Sequence, residues 1–99
     1  MILEVAILDV KKGREREFEK AFCQAQKIIS GMKGYISHEL QRCIEKDNRY
    51  ILLVKWQRLE DHTKGFRESK EYQIWRDKLH HFYDPLPNVE HYSNVDLRD

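Results

Sequence analysis

Cysteine, proline and glycine are scarce in this chain, with two, two and four residues among 99. Two cysteines, Cys23 and Cys43, form no C-x-x-C pair, which excludes a disulfide framework and a thiolate metal knuckle. They read as free thiols of a reducing compartment, and Cys23, inside a helical pattern, is expected to be buried as a small hydrophobe. So few prolines and glycines exclude a low-complexity or linker-rich chain. An excess of one charge is also missing: 18 basic residues face 17 acidic ones, for a net charge of +1. The signs are interleaved, as in Lys11-Lys12-Gly13-Arg14-Glu15-Arg16-Glu17. Phosphate binding needs a basic excess, so nucleic acid and anionic membrane surfaces are not predicted partners. No apolar run approaches the roughly 20 residues of a membrane span. No basic segment precedes the first apolar run, and Glu4 interrupts it, so no signal peptide is predicted and the expected location is the cytoplasm.

What remains is a chain of one domain's length, residues 1–99, with 40% apolar and 35% charged residues. A domain of this size buries only about 60–65% of the surface that its unfolded chain exposes. Such a polar monomer is marginal, which predicts a homodimer.

Residues 1–10 read as a strand with both faces apolar: Leu3, Val5 and Ile7 against Ala6, Leu8 and Val10. Residues 14–30 carry the clearest helical period, through Phe18, Ala21, Phe22, Ala25, Ile28 and Ile29, with Gly31 at the place of a C-terminal cap. Residues 35–43 alternate, with Ile36, His38 and Leu40 on one face. A turn at 45–48 leads to a strand at 49–56, with Tyr50, Leu52, Val54 and Trp56 on one side and Ile51 and Leu53 on the other. Residues 59–82 are predicted helical, in two pieces around Gly65, and Pro85 and Pro87 stop the helix. Residues 89–95 read as a last strand, and 94–99 as a polar tail.

The order β-α-β-β-α-β predicts an α+β, ferredoxin-like domain: a four-stranded antiparallel sheet with both helices on one face. Ala6, Leu8, Ile51 and Leu53 are then expected on the bare face, where the sheet of a second copy would cover them and form a dimeric α/β barrel.

This order resembles the antibiotic biosynthesis monooxygenase family. The residues that carry the likeness are Ser30-Gly31-Met32-Lys33-Gly34-Tyr35, Val54-Lys55-Trp56, Leu59-Glu60-Asp61-His62, the run from Gly65 to Tyr72, and Pro87-Asn88-Val89-Glu90-His91-Tyr92. They are apolar, aromatic and glycine marks that specify fold better than chemistry. The resemblance implies a pocket between helices and sheet. It implies cofactor-free oxygenation of a small aromatic, quinone-like or polyketide-like substrate, a non-enzymatic dimer that binds a small hydrophobic ligand or serves in stress, or haem degradation. For haem, three departures stand against it: Arg76 near the position of the relatives' histidine ligand, Phe66 in the place of their tryptophan, and Val5, Ala6 and Ile7 where they carry an asparagine. No cofactor is therefore predicted.

Oxygenation of a phenol or enol needs a base, donors for the resulting anion, and dry walls. His62, in the first turn of the second helix, is the candidate base or orienter, since the helix dipole there favours the neutral imidazole. Tyr72 is the candidate donor. Trp56, Phe66 and Trp75 fit either pocket walls or ordinary core. His38 and Tyr50 are candidate strand-borne contacts, and His38 fits equally a satisfied histidine at a dimer seam. The five histidines, His38, His62, His80, His81 and His91, contain no i, i+4 pair, and no metal site is predicted.

Overall fold

The structure is a computed structural model that describes residues 1–98. Four strands, β1 (Ile2–Asp9), β2 (Tyr35–Arg42), β3 (Arg49–Trp56) and β4 (Val89–Tyr92), form one antiparallel sheet in the order β2-β3-β1-β4. Helix α1 (Glu15–Ser30) follows β1, and α2 (Lys70–Leu79) follows a π-helical segment, Asp61–Phe66, that leaves β3. A 3₁₀ turn, His80–Phe82, extends α2. This is the ferredoxin-like fold with both helices on one face of the sheet.

The core is an aromatic seam between the layers. Phe18 and Phe22 of α1 meet Tyr50, Phe82, Tyr83 and Trp75 at ring separations of 4.9–5.8 Å, tilted or edge-on, the arrangement that ring quadrupoles favour. The apolar period of α1 buries Phe18, Phe22, Ala25 and Ile29, which fixes that helix over β1 and β3.

Five local expectations are corrected. In β1 the buried set is Glu4, Ala6 and Leu8, so the helices cover Ala6 and Leu8, and the bare face carries Leu3, Val5 and Ile7 with Ile51 and Leu53. Both faces of β1 are apolar, so alternation alone left the phase open. In β2 a bulge between Tyr35 and Ser37 turns Tyr35 and His38 together to the helix side and leaves Ile36 exposed. The second helix breaks at 67–69, not at Gly65. There the Ser69 hydroxyl accepts the Tyr72 N–H and starts α2 afresh. Cys23 is exposed on α1 rather than buried. The last strand also ends at Tyr92, short of Val95, and Asp99 of the expected tail lies outside the described residues.

One glycine is required by close approach. Gly34 has φ +84, and a Cβ there would fall inside the buried side chain of Asp61. Asp61 opens the π-helical segment and accepts the Arg58 N–H, so this contact seats the segment on the sheet. Among the described residues, no helix is long and apolar enough to cross a membrane.

Candidate functional site

Between β1, β3 and the second helical layer lies a cavity of about 220 Å³. Its walls include Ala6, Leu8, Leu52, Phe66, Trp75 and Val89, and its polar lining is Glu4, His62, Arg67, Tyr72, His80, Tyr83 and Asn88. The π-helical segment explains how two functional side chains reach it. The Arg67 N–H bonds to the His62 carbonyl, an i to i−5 step that widens the turn. His62 and Phe66 then both face inward and are buried.

His62 is 3% exposed. It stacks on Trp56 at 5.4 Å with an interplanar angle of 23°. Its Nδ1 lies 2.7 Å from Nε2 of His91 on β4, and its Nε2 lies 3.4 Å from Oε1 of Glu4 on β1. The same Glu4 oxygen accepts the Trp56 indole N–H at 2.9 Å. Burial pulls the His62 imidazole down to about 3, helped by the charges of Arg67 and His91. Burial also pushes the Glu4 carboxyl up to about 6, against the opposing pull of the Trp56 hydrogen bond and Arg67. The cause is the same in both: little solvent reaches either group, so the neutral form gains.

The cavity gathers His62, Tyr72, Phe66 and Trp75, with Trp56 directly behind Glu4. Tyr72 and Trp75 meet Phe66 edge-on at 5.3 and 5.7 Å. His38 and Tyr50 are not brought there. They line a wider, open depression of about 530 Å³ between α1 and β2, with Glu19, Gln26 and Arg42. His38 bonds Gln26 at 2.8 Å and Tyr35. The Tyr50 hydroxyl donates to Glu19. His38 lies on the helix side of the sheet, so it is not on the bare face where two sheets would meet.

Sequence reasoning missed Glu4 and His91. Glu4 reads as an interruption of an apolar run, yet it shares the phase of Ala6 and Leu8. A lone carboxylate on the core face of a strand is the signal that was available. His91 lies 29 residues from His62, and only the pairing of β4 with β1 joins them.

The sequence profile of the antibiotic biosynthesis monooxygenase family matches residues 1–78. The chain belongs to this family. Its sequence is 58% identical over 95 residues to the uncharacterized protein YczJ of Bacillus subtilis (strain 168), covering 96% of this chain and all of that one. A crystal structure of a family protein from Bordetella bronchiseptica superimposes with a TM-score of 0.90 at 34% identity, over 95% of this chain and 96% of the other. SnoaB, a cofactor-independent oxygenase from Streptomyces nogalater, shares the fold with a TM-score of 0.75 at 21% identity, over 99% and 97% of the two chains.

Haem does not fit these residues. Arg76, near the relatives' ligand position, is exposed on α2 and lines a separate surface hollow with Asp77 and His81. A cavity of about 220 Å³ is also smaller than the roughly 300–1,000 Å³ of drug-sized ligand sites, and haem is larger than most drugs.

Proposed function

We propose that the protein is a cofactor-free monooxygenase of a small aromatic, quinone-like or polyketide-like compound, acting in the helix–sheet cavity. The observation that carries this reading is the convergence of His62 and Tyr72 on a recessed, partly open space walled by Phe66 and Trp75. An engineered cavity of about 150 Å³ holds benzene, so about 220 Å³ has room for a ring with substituents. The reaction uses the electrons of the substrate itself. Loss of the phenol or enol proton leaves an anion that adds O₂ to give a peroxide anion. Protonation and loss of water then leave a new carbonyl. Tyr72 serves as donor to the anion, Arg67 at the cavity mouth offsets its charge, and His62 is base or orienter. The printed description of SnoaB supports the class of chemistry.

The test is oxygen uptake by the purified protein with a panel of hydroquinones, alongside a haemin titration. Oxygen consumed in step with hydroxyquinone formed, one atom of ¹⁸O₂ in that product and no hydrogen peroxide, with no stoichiometric Soret band, support the reading. Binding of the panel without oxygen uptake makes the protein a ligand-binding module instead.

The protein is also proposed to be a homodimer. Ile7 pairs Ile51 and Val5 pairs Leu53 on the bare sheet face, an apolar patch suited to the same patch of a second copy. Light scattering at micromolar concentration should give twice the chain mass, and Ile51→Asp should give the monomer.

A further inference from the structure

Glu4 presents its carboxyl to the cavity, and deprotonation of a substrate needs an acceptor there. It is 5% exposed and lines the cavity. Its Oε1 is fixed by the Trp56 N–H and faces His62, while its Oε2 has no hydrogen-bond partner among the described residues. Behind it runs a chain of rings. With Glu4 ionised, the consistent proton arrangement puts the His62 proton on Nε2, toward the carboxylate, and has His62 Nδ1 accept the Nε2–H of His91. His91 is half-buried on the edge strand and does not line the cavity. An imidazole whose two nitrogens face His91 and the Glu4 oxygen orients that carboxylate.

We infer that Glu4 is the catalytic base of the cavity, and that His62, held in its tautomer by His91, is the residue that positions it. The inference rests on the oxygenase reading of the same cavity. In the first step the substrate O–H bond breaks and its proton bonds to Oε2 of Glu4. The electron pair stays on the substrate oxygen, beside Arg67. After O₂ has added, the Glu4 carboxylic acid returns that proton to the peroxide anion, and the hydroperoxide loses water.

The proton affinities agree with this division of work. A carboxyl near 6 is ionised at neutral pH and close enough to it to give the proton back, whereas an imidazole near 3 stays neutral there and is too weak a base to take the substrate's proton. The other titratable or charged groups facing Glu4 are Arg67 beyond the π-helical segment, Tyr72 of α2, His80 and Tyr83, with His91 acting through His62.

Glu4→Gln keeps the acceptor for Trp56 and removes the base. It should lower kcat/KM for a hydroquinone by about 10²-fold or more, with KM within about twofold. The wild-type rate should rise through a midpoint near pH 6, and that midpoint should vanish in Glu4→Gln. His91→Ala should lose less and recover in part with added imidazole, which a merely structural defect would not. An unchanged midpoint in Glu4→Gln, or a rate equal to wild type, overturns the assignment.

A wild type that consumes no oxygen with any hydroquinone removes the oxygenase reading. Glu4 is then judged alone by the colour of bound 4-nitrophenol. Neutral phenol beside the ionised carboxyl in the wild type, and tighter binding of the yellow phenolate in Glu4→Gln, uphold a carboxylate facing the ligand, and the same form and affinity in both overturn it.

Discussion

Two hollows flank the helical layer, and they differ in what water can do inside them. The open one between α1 and β2 has more than twice the volume, about 530 against 220 Å³. Its charges are paired in solvent, with Arg42 3.6 Å from Glu19 and both side chains about half exposed. Such pairs contribute little and perturb little. The smaller cavity holds Glu4 and His62, each under about a tenth exposed, and there burial moves both proton affinities far from their ordinary values. Volume therefore does not single out the hollow whose proton affinities are perturbed; exclusion of water from titratable groups does.

The sharpest way to break this contrast is to open the smaller cavity. Phe66→Ala removes a wall in contact with Trp56, Tyr72 and Trp75, and should cost about 3–5 kcal/mol in urea unfolding. Gln26→Ala in the open hollow should cost less than about 1 kcal/mol. Gly34→Ala comes next. It forces a Cβ into Asp61 at a positive φ, should cost about 2–4 kcal/mol, and should loosen the segment that carries His62.

The pH dependence of stability sharpens the contrast further. His62 binds a proton more weakly folded than unfolded, so its contribution is complete above pH 6.5 and is lost as pH falls toward 3. Glu4 has the opposite sign. Its folded carboxyl holds the proton better, so its contribution grows as pH falls from about 6 to 4.5. Across that window the two offset one another. Glu4→Gln removes the offset, and its stability should fall on acidification more steeply than wild type by at most about 1 kcal/mol per pH unit. Equal slopes, measured by urea unfolding from pH 7 to 4.5, would show that Glu4 is not proton-linked to folding. The smallest effect is expected in the open hollow, where Tyr50→Phe removes one hydroxyl bonded to Glu19. It should shift stability by less than about 1 kcal/mol and leave turnover within about twofold.

The element order and α1 were legible because their apolar periods are unbroken, and the family likeness rested on the same marks. The rest failed where a local device overrides the period. The β2 bulge reverses the phase of Tyr35 and Ile36, which strict alternation cannot represent. Ser69 restarts α2 within an otherwise helical pattern, so the eye falls on Gly65 instead. Part of the candidate site was legible as well: His62, Tyr72, Phe66 and Trp75 were named for the pocket that the family likeness implies, and one cavity holds all four. Glu4 and His91 were not, because each acquires meaning only across the sheet. His38 and Tyr50 carry suitable chemistry, but the strands that hold them deliver it to the other hollow.

The chain has two tryptophans, and both stand at the cavity. Trp75 forms part of its wall, and Trp56 gives its indole N–H to the Glu4 carboxyl while lying flat against His62. The protein's ultraviolet emission therefore originates almost wholly from the place where a ligand would arrive and a carboxyl would titrate. An unlabelled sample in a fluorimeter reports occupancy and protonation of this one site, with no other indole to dilute the signal.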